Sequence, residues 1–121
     1  MKMKFRVFDN RNQKILDRPV IEIYHDGIDI LTKHREVVDD YVLMQSTGLT
    51  DKNGVEIYDG DIVIERFLNQ YGEHEIKRVV KWQEKKLGWN LFNPIATSTG
   101  MNYEVIGNVH EHPHLLEGEN S

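Results

Sequence analysis

The chain has 121 residues, 39% of them hydrophobic and 29% charged, and a formal net charge of −5. That size and balance fit one globular domain, or two small parts sharing a core, and exclude a disordered chain. With no cysteine, disulfides, thiolate zinc sites and cysteine nucleophiles are excluded, and the acidic balance gives no whole-chain attraction to nucleic acid or anionic lipid.

The opening MKMKFRVFDN has lysines, but Arg6 and Asp9 interrupt it before a signal-peptide core develops. No later apolar run approaches the roughly 18 residues of a membrane span. The expected setting is the cytoplasm, away from membranes. Alternation then dominates over helical periodicity. KFRVF puts Phe5 and Val7 on one face of a strand, Arg6 and Phe8 on the other. VIEIY and IDIL flank His25-Asp26-Gly27, where the Asp-Gly pair predicts a hairpin with positive φ at both turn positions. DYVLMQ reads as a further strand that ends before Ser46-Thr47-Gly48.

The stretch LMQSTGLTDKNGVEIYDGDIV carries a glycine at every sixth position, Gly48, Gly54 and Gly60, with Asp51, Asp59 and Asp61 among them. Asp51-Lys52-Asn53-Gly54 has turn chemistry, an aspartate to cap the backbone and a glycine to take the left-handed conformation. Asp59-Gly60-Asp61 is a second tight reversal between the strands Val55–Tyr58 and Ile62–Ile64. A calcium loop does not fit: counted from Asp51, position 5 is Val55 and position 12 is Ile62, where oxygen ligands are needed. A phosphate loop does not fit either, because strands rather than a helix follow each glycine.

EIKRVVKWQ and GWNLFN form two more strands around Glu84–Gly88, PIATSTGMN is irregular, and Tyr103–Val109 is a last strand with a bulge at Gly107. HPHLLEG makes one helical turn with Pro113 near its start. The reading is a mainly β fold: a small antiparallel barrel-like domain over 39–116, a β-rich N-terminal part over 1–38 with LTKHREVVDD as spacer, at most short helical turns, and a frayed tail at 117–121. The expected core is Leu43, Ile57, Ile62, Ile64, Val80, Trp82, Leu91 and Ile106, with Tyr58 beside the glycine corners.

The central stretch resembles the signature of the YopX family of phage and prophage proteins. KFRVFD followed by KIL, and YEVIGNVHEHPHLL near the end, are similar to that family's opening and close, so the resemblance runs from about Lys4 to Leu116. It implies a small, mostly β protein encoded in a phage or prophage genome. It implies no reaction and assigns no catalytic residue.

Candidate chemistry is sparse. His110, His112 and His114 alternate, so on a strand they would project together about 7 Å apart and could hold zinc or nickel. Pro113 breaks such a strand, which favours a surface cluster over a metal centre. His25, His34 and His74 have acidic neighbours (Asp26, Glu36, Glu73, Glu75), but near neighbours on a strand point to opposite faces. Ser46, Ser98 and Ser121 sit in no nucleophile elbow. The basic stretch IKRVVKWQEKK brings Lys77, Arg78, Lys81, Lys85 and Lys86 around Trp82, a combination that single-stranded nucleic acid asks of a barrel surface. Shared parity of Ile76, Val80 and Trp82 instead places the indole inside.

The expectation is a non-enzymatic binding or assembly module with no cofactor and no catalytic or metal residue. It would act as a homo-oligomer, because short strands leave edges to satisfy, and on a phage or host protein. The alternatives are a nucleic-acid binder using residues 77–86 and a metal-dependent enzyme using the C-terminal histidines.

Overall fold

The computed structural model describes residues 4–91 and 102–116. Ser98, Ser121, most of PIATSTGMN and the tail 117–121 lie outside the described residues. The described residues hold twelve strands: β1 (Phe5–Asp9), β2 (Lys14–Ile15), β3 (Val20–Tyr24), β4 (Gly27–Leu31), β5 (Val37–Val38), β6 (Tyr41–Thr50), β7 (Glu56–Tyr58), β8 (Asp61–Asn69), β9 (Gly72–Val79), β10 (Trp82–Gln83), β11 (Gly88–Trp89) and β12 (Asn102–Asn108). One-turn 3₁₀ helices at Glu84–Lys86 and Pro113–Leu116 complete them. The fold is mainly β, a curled antiparallel half-barrel.

The strands pair in the orders β2-β1-β6-β7, β3-β4-β5, β12-β8-β9 and β10-β11. The β1–β6 ladder, from Phe5↔Gln45 to Asp9↔Tyr41, joins residues on either side of position 38. β1 is buried on both of its faces. Val7 enters an N-terminal cluster with Leu16, Ile30 and Val38, against which Ile21, Ile28, Tyr41 and Leu43 pack. On its other face Phe8 stacks on His110 and Arg6 reaches Asp61. A second cluster gathers Ile57, Val63, Val80 and Tyr103, with Leu49, Trp89, Leu91 and Val105 packed on it.

Three local expectations change. Gly48 does not end a strand: β6 runs through it to Thr50, and the glycine, at φ 79°, sits in a bulge where Ser46–Thr50 faces only Glu56–Tyr58. The bulge absorbs the extra residues without breaking the strand. The β3–β4 turn is His25-Asp26 rather than Asp26-Gly27, because Gly27 already pairs with Tyr24. Neither turn residue has positive φ. The third change concerns the core. Ile57, Ile62 and Val80 are fully buried, Leu43, Ile64, Leu91 and Ile106 are half-buried, and Trp82 is 49% exposed.

Candidate functional site: a basic tryptophan hairpin

Two polar regions could carry function, the aspartate–glycine corner and the basic hairpin. In the corner the carboxylates hold backbone. Asp51 Oδ1 accepts the amides of Asn53 and Val55 at 2.8 and 2.9 Å, and its Oδ2 accepts the amide of Val105 on β12 at 2.9 Å. Gly54 closes that turn at φ 79°, its N–H donating to the Asp51 carbonyl. Asp61, fully buried, accepts the Tyr58 amide at 2.8 Å and pairs with the Arg6 guanidinium, which lies 4.5 Å over the Tyr58 ring. Burial pushes the Asp61 carboxyl up, against the opposing pull of the Tyr58 amide and Arg6. Asp59 is also pushed up by burial, partly offset by His110 and Lys81.

Gly60 is where three strands meet. Its N–H donates to the Val80 carbonyl, and its carbonyl accepts from Val109. Its φ of 84° is a conformation that glycine takes freely and a residue with a Cβ takes only at a cost.

The C-terminal histidines diverge. β12 ends at Asn108, before all three. His110 stacks on Phe8 with ring centroids 5.0 Å apart, while His112 Nδ1 accepts the Asn108 amide at 3.2 Å and meets His114 edge-on at 6.0 Å. His112 also packs under Gly107, where a Cβ would come within 2.7 Å of its ring. Among the described residues, no three histidines or carboxylates are grouped as metal ligands. His74 stacks on Phe67, whereas His25 and His34 are exposed. Ser46 Oγ accepts the Gly48 amide inside the bulge.

The basic stretch divides in two. Lys77 donates to the Leu115 carbonyl at 2.6 Å, and Arg78 pairs at 2.8 Å with the buried Glu65 carboxylate. Both help hold the sheet. Beyond them β9 stops at Val79 and the chain turns away. Asn90 bridges the break, with its amide nitrogen donating to the Val79 carbonyl and its oxygen accepting the Lys81 amide. From there β10 and β11 form a two-pair hairpin, Trp82↔Trp89 and Gln83↔Gly88, closed by the 3₁₀ turn and by Leu87 in the left-handed conformation at φ 50°. The two indoles meet edge to face, 5.4 Å apart. Trp89 is on the inner side, packed on the second cluster. Trp82 stands outside it, with Lys81, Lys85 and Lys86 exposed along the same hairpin. Beside them an open hollow of about 360 Å³ is lined by Arg78, Gln83, Lys86, Trp89, Asn90 and Leu91.

Trp82 leaves the core because β9 ends before it and its cross-strand partner is Trp89 rather than a residue of β8; Ile76, of the same parity within β9, is itself 43% exposed. Trp89 was not singled out by sequence, although a second tryptophan seven residues on, across a turn, was the available signal.

The model of the YopX protein family matches residues 4–117. The chain belongs to the YopX family. Among curated proteins no relative matches. Among solved structures it is similar to the crystal structure of protein EF1440 from Enterococcus faecalis, with a TM-score of 0.65 and 28% identity over 97% of this chain and 99% of that one. Among the described residues, no helix is long and apolar enough to cross a membrane.

Proposed function

We propose that this YopX-family protein is a non-enzymatic binding module, encoded by a phage or prophage and working in the bacterial cytoplasm, and that its binding surface is the hairpin of β10 and β11. The ligand class that suits this surface best is single-stranded nucleic acid. One observation carries the reading: Trp82 is 49% exposed and propped edge-on by Trp89, on a short hairpin whose Lys81, Lys85 and Lys86 are exposed as well. A large apolar side chain half left in water forgoes about 1 kcal/mol or more of burial, so its exposure beside cations suits a second use. Stacking a base on it and drawing the backbone with lysines is the recurring way that β modules hold single strands. With a net charge of −5, that attraction is local and reaches about one Debye length. The carboxylates of the corner support binding over catalysis, since Asp51 and Asp61 are taken up by backbone amides and Arg6.

The test is anisotropy of a labelled short oligothymidylate at two salt concentrations. Wild type should bind with a salt slope near −2, for about three lysines at roughly 0.7 per phosphate on a single strand. Trp82→Ala should fold and lose about 1–3 kcal/mol for each base that stacks on it. A wild type without salt-sensitive binding, or a folded Trp82→Ala that binds equally well, would sink the proposal.

A further inference from the structure

Gly60 gathers three titratable residues around one point of the backbone. Its N–H donates to the carbonyl of Val80, which precedes Lys81, and its carbonyl accepts the amide of Val109, which precedes His110. Asp59 precedes Gly60 itself. Two further bonds fix the junction: the Asp59 amide donates to the Gln45 carbonyl, and the Val80 amide to the Asp61 carbonyl. A hollow of about 450 Å³ opens there, within the roughly 300–1,000 Å³ usual for small-molecule sites.

Apolar side chains from three parts of the chain line this hollow: Val42 and Met44 of β6, Val79 and Val80 around the end of β9, and Val109 and Leu116 beyond β12. Asp59, Lys81 and His110 complete the lining. Gly60 keeps the space between them open. A Cβ there would lie 3.4 Å from Met44 Cε and 3.6 Å from both His110 Nε2 and Val109 Cγ2, all of them lining residues. The three titratable groups do not bond to one another. Among the described residues the half-buried Asp59 carboxylate accepts the Gly60 amide, while Lys81 and His110 act on it from beyond hydrogen-bonding distance. Burial holds that carboxyl above its ordinary range. Asp59 thus differs from Asp51 and Asp61, whose oxygens hold distant parts of the fold.

We infer that this hollow binds a free apolar α-amino acid, its ammonium on Asp59, its carboxylate on Lys81 and His110, and its side chain against the valines, Met44 and Leu116. Charge complementarity selects the class. A simple amine would pair with Asp59 but meet Lys81 and His110 at the same place. A simple carboxylate would suit those two and meet Asp59. A molecule that carries both charges answers all three groups. The two charges must also sit close together, because the three residues converge on Gly60 while the rest of the lining is apolar. An α-amino acid has its ammonium and carboxylate on one carbon, whereas a peptide spreads them to opposite ends. Partial burial strengthens both pairings over their value in water. The site stands independently of the hairpin reading, although Lys81 belongs to both.

Titration calorimetry of the full chain with leucine, isoleucine and methionine tests this. Wild type should bind at least one of them. The analogues of that amino acid lacking the ammonium or the carboxylate (isocaproate and isoamylamine for leucine) should each bind about ten-fold or more weakly, the loss of one charge-assisted bond. Asp59→Asn should weaken the amino acid by a similar factor and still fold, since it removes a charge that burial disfavours. Asp59 is the deciding position, because a change at Lys81 would also alter the hairpin surface. A wild type that binds none of the three, an analogue that binds as tightly as its parent, or a folded Asp59→Asn with unchanged affinity would overturn the proposal. Should Asp59→Asn not fold, the comparison of the amino acid with its two analogues on wild type decides alone.

Discussion

The corner at Asp51–Asp61 and the hairpin at Trp82–Trp89 are both short, both turn on special backbone conformations, and both concentrate charge, yet they use it oppositely. In the corner, Asp51 and Asp61 are buried and each accepts hydrogen bonds from two or more groups that are far apart in the chain. In the hairpin, Lys81, Lys85 and Lys86 reach water, and so does half of an indole. A polar side chain that satisfies the fold has little left to offer a ligand. One that satisfies nothing inside is free to recognise something outside. The glycine-rich motif is therefore the weaker candidate for activity.

If that contrast holds, the corner should be fragile and the hairpin tolerant. Asp61→Ala should have the largest effect, about 3 kcal/mol in urea unfolding. This is the low end of the cost of breaking a buried pair, because the stranded Arg6 side chain keeps 23% exposure. A loss under about 1 kcal/mol would remove Asp61 as the anchor of the corner. Gly60→Val should cost between about 1 and 3 kcal/mol. A Cβ there would already touch Met44 Cε at 3.4 Å and His110 and Val109 at 3.6 Å, so crowding by the two valine methyls adds to backbone strain at φ 84°. A Gly60→Val melt superimposable on wild type would contradict this account of the turn.

Trp82→Ala should cost about 1.5 kcal/mol, half the minimum for truncating a core tryptophan, because only one side of the indole is packed. A loss of about 4 kcal/mol would put Trp82 back in the core. The smallest effect concerns pH. Burial raises the native pKa of Asp59 above its ordinary 3.8, so the native state holds that proton more tightly than the unfolded one. Its contribution is complete at pH values below the ordinary range and is lost as pH rises through the native pKa. Asp59→Asn should then melt higher than wild type at pH 7, and the difference should close below about pH 4. A variant that melts lower than wild type at pH 7 would show that the ionised form of Asp59 is the favoured one.

What could be read in advance follows from range. Strands β3, β4, β6, β8, β9 and β12 announce themselves through alternation, and the Asp51–Gly54 turn through residues within four positions of one another. Asp51's bond to Val105 and Arg6's pairing with Asp61 span 54 and 55 residues, and nothing in either neighbourhood marks the partner. Trp82 was lost for a different reason. Parity is a property of an unbroken strand, and the three-bond bridge by Asn90 at the end of β9 leaves no periodic trace. Gly48 showed its conformational need but not its setting, since a bulge and a turn ask the same of a glycine.

The placement of β1 bears on how the molecule is made. β2 pairs with its end at once, but its long ladder partner begins at Tyr41, and its charged face is not answered until Asp61. During synthesis the Val7 face finds Leu16, Ile30 and Val38 early, whereas the Arg6 and Phe8 face waits for roughly half the chain or more. Contacts of such separation raise contact order, and folding rates fall as contact order rises. A nascent chain stalled just short of Asp61 should hold Phe8 exposed, available to a chaperone. The same chain extended past Asn108, where His110 and the last strand arrive, should release it.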